Sequence, residues 1–396
     1  MRRRTLTQEQ IIGWNQDALK DISVTIIGTN ALAQFLVCTL TGIEVGAITL
    51  IDNIYATKDN EIILVPSQES RVLQLEDLVK KMNPDIVVNA FHSHPHPYMY
   101  ADSNVVINTT SGKYTIKSQQ TSFNHSCEID FLGILAGTIT NEIRRSAFRL
   151  RDYEKTIGGR ITVENNSIQI ITNRNILIVG AGALGNYTAL CAAAEGFNIT
   201  ICDDDLIEET NKNRQPIFTI EESIGKPKAD ICVKRLKEIH HELELKSIKQ
   251  RVAETYFDET KILETQYDLI ISCVDNAETR KYLNQICRTN STPLIDGGTT
   301  PFDGQVTTYQ PDKTACIECQ TPLVDNQFEK DNASSCISNS HEPSVVYTNC
   351  VIGCAIITEA KRILSKSTPT KGQFSYSSLD NHPTGIRKTI QRCEHT

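Results

Sequence analysis

The 396-residue chain is predicted to be α/β, with two doubly wound Rossmann-like domains in tandem. Two observations predict this. A strand–turn–helix–strand–acid unit begins at Asp21-Ile-Ser-Val-Thr-Ile-Ile-Gly28 and again at Asn175-Ile-Leu-Ile-Val-Gly180. The two lie about 150 residues apart, the mark of an internal duplication. The length also exceeds what one ordinary domain holds.

In the first unit, residues 47–53 form the second strand, which ends in Asp52. In the second unit, Asn198-Ile-Thr-Ile-Cys-Asp203 does the same. The first loop keeps Gly28 but has Asn30 and Ala33 where the second has Gly182 and Gly185. A Cβ at either place would crowd a phosphate or the helix–strand contact. No Asn-x-x-Arg-Gln follows Asp52. Residues 1–150 are therefore expected to be a degenerate, nucleotide-empty repeat and 173–396 the active one. The turn-rich stretch 151–172, with Thr156-Ile-Gly-Gly and Val163-Glu-Asn-Asn-Ser, reads as the linker.

Composition narrows the partners. A net charge of −8 and an acidic pI disfavour nucleic acid and anionic membrane, which want a basic surface. Apolar runs such as Phe131 to Gly137 are too short to span a bilayer. Met1-Arg2-Arg3-Arg4 leads into polar sequence and lacks the apolar core of a signal peptide. A cytoplasmic protein is expected. Thirteen cysteines are then buried small residues, metal ligands or nucleophiles, not a disulfide framework.

The chemistry concentrates behind the second glycine loop. Gly180 and Gly182 let the backbone approach phosphates at a helix N-terminus, and Gly185 lets the helix pack closely. Asp203 ends the next strand and suits the ribose hydroxyls. Arg214 and Lys228 bring positive charge for a triphosphate. Asp275 ends a later strand over the same crevice, where a carboxylate can hold Mg²⁺ between phosphates. A hydride-transfer enzyme has little use for this array; an enzyme that splits ATP does.

At these residues the sequence resembles the ubiquitin-activating-enzyme-like adenylyltransferases, of the ThiF, MoeB and HesA type. The matching pieces are Gly180-Ala-Gly-Ala-Leu-Gly185, Asp203-Asp-Asp205-Leu-Ile, Thr210-Asn-Lys-Asn-Arg-Gln215, Ile224-Gly-Lys-Pro-Lys-Ala229, Cys273-Val-Asp-Asn276, Pro293-Leu-Ile-Asp-Gly-Gly298 and Cys316-Ile-Glu-Cys319. They cover about 175–365, and residues 1–150 resemble the family's inactive adenylation repeat. The resemblance implies that Asp203 reads the ribose, that Asn211, Arg214 and Lys228 contact the phosphates, and that Asp275 holds Mg²⁺. It further implies a C-terminal crossover loop, and an acyl-adenylate and pyrophosphate as products. The family's N-terminal Asp-Arg-Gln, whose arginine reaches the partner copy's ATP, is replaced by Gln8-Glu9-Gln10. Either Arg2, Arg3 or Arg4 substitutes, or a second chain does in a homodimer.

Cys316-x-x-Cys319 has the spacing of half a tetrahedral Zn²⁺ site. Cys393 and His395 are the candidates for the other half; a frayed tail without metal is the alternative. Cys350 and Cys354, one turn apart on a helix, read as core. Cys336 lies in a polar stretch where thioester-forming relatives carry their nucleophile, and both a functional and an idle thiol fit. Phe91-His92-Ser-His94-Pro-His96-Pro resembles a metallo-isopeptidase motif, but Asp102-Ser103 comes in the wrong order, so a His-rich surface loop is expected.

The leading reading is adenylation of the C-terminal carboxylate of a small ubiquitin-like modifier or sulfur-carrier protein ending in Gly-Gly. Transfer to Cys336, a conjugating enzyme or a sulfur donor would follow. The alternatives are adenylation of a ribosomal peptide or tRNA, a nucleotide-binding scaffold without turnover, and last an NAD-dependent dehydrogenase.

Overall fold

The computed structural model describes residues 8, 11, 13–55, 61–116, 119–122, 128–148, 173–219, 223–252, 266–321, 344–365, 373–379 and 393. The expected linker, Cys336 and His395 lie outside them.

The first sheet comprises β1 (Ser23–Ile27), β2 (Ala47–Asp52), β3 (Val87–His92), β4 (Val105–Asn108), β5 (Lys113–Ile116) and β6 (Gln119–Ser122). Its order is β3-β2-β1-β4-β5-β6, parallel through β4 and antiparallel from there. The second comprises β7 (Asn175–Val179), β8 (Asn198–Cys202), β9 (Leu245–Ile248), β10 (Leu269–Ser272), β11 (Leu294–Thr299), β12 (Asp303–Tyr309) and β13 (Gln373–Ser377). Its order is β13-β12-β11-β10-β7-β8-β9, with only the β11–β12 and β12–β13 pairings antiparallel. Taken from each first strand, both sheets run 3-2-1-4, the order expected of a duplicated doubly wound fold. Both are mixed, because hairpin strands close one edge of each. The central strands β7 and β10 are Ile/Leu/Val-rich and buried almost throughout, as parallel strands covered on both faces must be.

The glycine loops lead into α2 (Ala31–Gly42) and α5 (Ala183–Ala194), after the short α1 (Gln16–Lys20) and before or between α3 (Arg71–Met82), α4 (Ile129–Ala147), α6 (Lys228–Ile239), α7 (Ala277–Thr289), α8 (Ile317–Gln320) and α9 (Val346–Ser365). Every residue of α2 is buried, and α5 is apolar nearly all round, so both are central helices. They are buried because α4 packs on α2 and α9, and α9 on α5, joining the halves through one continuous core. Glycines permit the close crossing. A Cβ on Gly137 would lie 2.6 Å from Val351 Cγ2, and one on Gly353 would lie 2.8 Å from Tyr187 Cβ. Cys350 and Cys354 are fully buried in this interface, as core residues.

One ionic cluster also spans it. Lys361 on α9 meets Glu128 and Asp130 at the start of α4 and Glu195 at the end of α5, with Asp130 at 3.2 Å and Glu195 at 3.1 Å. Beyond the other face of the second sheet, a smaller core under α7 and α8 gathers Leu177, Ile270, Leu283, Tyr309 and Cys316. No described helix is long and apolar enough to cross a membrane.

Candidate functional site

The strand order places β7 between β8 and β10, with the connections from β7 and β10 leaving in opposite directions, a topological switch point. Gly180 follows β7, Asp203 follows β8, and Asp275 lies just past β10, so all three occupy one carboxyl edge. Each glycine has a separate reason. Gly180 has φ +98°, and a Cβ there would lie 2.6 Å from the Cys273 carbonyl oxygen. A Cβ on Gly185 would collide with the Gly180 carbonyl, so α5 can approach β7 only as drawn. Gly182, the N-cap of α5, has open space where its side chain would be. An uncovered helix N-terminus with unpaired backbone N–H groups favours phosphate.

Asp203 accepts from Ala181 N (2.6 Å) and Asp205 N (2.9 Å). Burial pushes its carboxyl above the ordinary value, while the Ala181 N–H and Lys228 pull it back. Lys228 opens α6, and its Nζ lies 2.7 Å from Asp205 Oδ2, an acid that is itself well exposed. Asn211 accepts from Glu208 N (2.8 Å) in a capping box that shapes the following turn. Arg214 is buried and donates to Thr210 O (2.8 Å) and Asn213 Oδ1 (3.1 Å). Burial pulls its guanidinium down from the ordinary value, and Glu208 opposes that. Asp275 is exposed, followed by Asn276, which caps α7 by accepting from Thr279 N (2.8 Å). The structure thus brings Gly180, Asp203 and Asp275 to one edge of the sheet. The sequence signal passed over Asp205 as the partner of Lys228, visible only as the last acid of Asp203-Asp-Asp205.

Backbone bonds match the two halves residue by residue. Gly28 N donates to Ile51 O (2.9 Å) as Gly180 N does to Cys202 O (2.8 Å). Thr29 N donates to Asp52 Oδ2 (2.8 Å) as Ala181 N does to Asp203. Arg71 N donates to Ile54 O (3.0 Å) as Lys228 N does to Asp205 O (2.9 Å). Thr109 N and Cys273 N both return to the end of their first strand, which sets Ser111 opposite Asp275.

At these matched positions the chemistry diverges. The Asn30 carboxamide accepts from Ala33 N and donates to Thr109 O, covering the helix end that Gly182 leaves open. The Thr29 hydroxyl donates to Asp52 (2.6 Å). Arg71 turns onto Glu61, at 2.6 and 2.7 Å, and Glu61 is almost fully buried and also accepts from Gln34. Ser111 offers no carboxylate. In the first half the matched cation is paired with a buried acid, and a serine stands where the second half has Asp275.

Cys316, Cys319 and Cys393 bring their sulfurs within 4.8 Å of one another, with Cys319 and Cys393 at 3.7 Å. A tetrahedral zinc with bonds of ~2.3 Å sets its sulfurs about 3.8 Å apart, so the trio fits zinc. His395, the remaining candidate ligand, lies outside the described residues. Among the described residues no other group of three His, Cys or acidic side chains converges in this way. His92, His94 and His96 are exposed and separate: β3 extends through His92, whose ring lies tilted 4.9 Å from that of Tyr55, while His94 faces Asn53.

The family model described as the ThiF family matches residues 155–394. Over 166 residues the chain is 31% identical to the sulfur carrier protein ThiS adenylyltransferase of Escherichia coli K12, covering 41% of this chain and 64% of that protein. It is 33% identical over 193 residues to the NEDD8-activating enzyme E1 catalytic subunit of Arabidopsis thaliana, covering 42% of this chain and 40% of that protein. Over 154 residues it is 33% identical to SUMO-activating enzyme subunit 2 of Dictyostelium discoideum, of which the chain spans 23% and which covers 39% of this chain. The chain thus spans less than two thirds of each of these relatives. Among solved structures, E. coli MccB with MccA-N7isoASN has a TM-score of 0.47 at 22% identity, covering 55% of this chain and 66% of that one.

Proposed function

Because the chain belongs to the ThiF family, we propose that its second half adenylates the C-terminal carboxylate of a small ubiquitin-like modifier or sulfur-carrier protein ending in Gly-Gly, releasing pyrophosphate. The observation that carries this reading is the contrast between the matched crevices. Open helix end, a cation paired with an exposed acid, and the exposed Asp275 occur together at 180–275; at 28–111 the helix end is capped, the cation is paired with a buried acid, and a serine stands in place of the last acid. The names of the relatives, which specify a sulfur carrier, NEDD8 and SUMO, support the substrate class.

In this reading the N–H groups opening α5 cradle the phosphates, and Asp203 takes the ribose hydroxyls. Lys228 exchanges Asp205 for a phosphate oxygen, and Asn211 and Arg214 face the same chain of phosphates. Asp275 would hold Mg²⁺, which when bound would offset charge on the departing pyrophosphate. The protein's contribution is alignment and fixed charge. Cys316, Cys319, Cys393 and His395 hold a structural zinc. Cys336 then accepts the acyl group as a thioester, which a Cys336→Ala variant would fail to form.

The first half completes the site from outside. Gln8 Nε2 donates to Gly42 O (2.9 Å), beside Asn213, which places Gln8 alongside the Arg214 segment. This supports Arg2, Arg3 or Arg4 acting within one chain over a homodimer. ATP–pyrophosphate exchange tests the reading: exchange should require a Gly-Gly-ending carrier and vanish in Lys228→Ala. Exchange with no carrier, or none with any carboxylate while ATP binds, would overturn it.

A further inference from the structure

We propose that Arg280, on α7, is a positioning residue that fixes the Asp275 turn for magnesium-dependent nucleotide binding, an inference that rests on the reading above. The last paired residues of β10 and β11 are Ser272 and Asp296; beyond them the sheet ladder stops. The guanidinium takes over there. Arg280 Nη2 donates to Val274 O (2.8 Å) and to Gly297 O (3.2 Å), joining the two strand ends through a side chain. Its Nε lies 3.3 Å from Asp296 Oδ1, a buried carboxylate that also accepts from Ser272 Oγ (2.7 Å). Gly298 leaves room for this fork, since a Cβ there would lie 3.2 Å from Nη2.

Asp275 needs such support. Among the described residues its carboxylate makes no hydrogen bond or ion pair, so its position derives from its backbone. On one side Cys273 N is tied to Val179 O, and on the other Asn276 caps α7. Between them, Val274 O is held by Arg280 alone among the described side chains. A planar guanidinium can donate to two carbonyls through Nη2 while its charge stays beside Asp296; an ammonium does not hold that geometry. Removing it leaves the Val274 and Gly297 carbonyls without this donor and Asp296 without its counter-charge, and frees the peptide that carries Asp275.

The test uses the full chain and two probes: ATP with Mg²⁺, and AMP without metal. Arg280→Gln should weaken MgATP binding by about tenfold or more, with AMP binding within about twofold of the parent. Asp275→Asn should show the same pattern, and the double variant should lose little beyond either single one. Arg280→Lys, which keeps the charge and serves as the readout if Arg280→Gln does not fold, should also weaken MgATP selectively. The proposal is overturned if both Arg280 variants bind MgATP as the parent does while Asp275→Asn does not, or if they weaken AMP and MgATP equally. A parent that binds no MgATP, or an Asp275→Asn variant that binds it unchanged, would instead overturn the nucleotide-site reading beneath it.

Discussion

The carbonyl oxygen of Asn213 lies where a side chain on Gly42 would begin, so the end of α2 in the first half touches the Arg214 segment of the second. Val346, at the start of α9, closes the same contact, 2.9 Å from that absent Cβ. The first half thereby packs directly against the segment that carries Arg214. Gly42→Ala should displace Asn213 and weaken ATP binding by about tenfold, the scale of a 1–2 kcal/mol overpacking strain. Gly137→Ala is the control. It forces Val351 and the Tyr347 carbonyl in the same interface and should lower the melting temperature without a matching loss of ATP affinity.

The two crevices predict one nucleotide per chain. Gly182→Val should abolish ATP binding in titration calorimetry while leaving the melting temperature nearly unchanged, because its Cβ meets nothing in the fold. Asn30→Gly should uncover the first helix end without creating a second site, since Arg71 remains bound to Glu61 and Ser111 carries no charge. A stoichiometry of two in either protein would contradict the asymmetry.

The cluster around Lys361 predicts a pH dependence of stability. Burial is the largest influence on Glu195; Lys361 pulls its carboxyl down, Asp130 and Glu128 push it up, and it ends near 7. Its folded value exceeds its unfolded one, so the folded state holds the extra proton. That contribution is complete below the ordinary carboxylate value and is lost as pH rises through about 7. Lys361 stays charged over this range, held up by Asp130, Glu195 and Glu128 against its own burial. Denaturant midpoints should therefore fall from pH 5 to pH 8, and Glu195→Gln should flatten that slope. Lys361→Met should cost on the order of 3–5 kcal/mol at neutral pH, because three acids would remain without their cation.

Zinc should be present at one equivalent per chain, measured by elemental analysis. Cys319→Ser or Cys393→Ser should release it and lower thermal stability, since metal affinity contributes directly to folding. His395→Ala should weaken retention of the metal against a chelator. Full occupancy in all three variants would move the site elsewhere.

Much of this was legible from residue order. Short apolar runs ending in glycine or aspartate announced β1, β2, β7, β8 and β10, because a buried parallel strand tolerates little else. The crevice was legible for the same reason, since Gly180, Asp203 and Asp275 each follow a strand. Cys316-x-x-Cys319 was legible as half a metal site, and the structure brings the Cys393 sulfur beside it. What stayed hidden depends on tertiary contact. Nothing local tells that Arg71 turns onto Glu61, that Asp205 holds Lys228, that Arg280 spans two strand ends, or that Gly42 abuts Asn213. Those partners lie between 6 and 171 residues apart in the chain and meet only after the sheets and their helices have packed.

The most direct test of the central claim is isotopic. A Gly-Gly-ending carrier protein with ¹⁸O in both oxygens of its terminal carboxylate is incubated with the enzyme, Mg²⁺, ATP and a thiol acceptor. Attack of the carboxylate on the α-phosphorus, followed by acyl transfer, should leave one ¹⁸O in the AMP released and none in pyrophosphate. AMP without label, or label in inorganic phosphate, would contradict adenylation at this site.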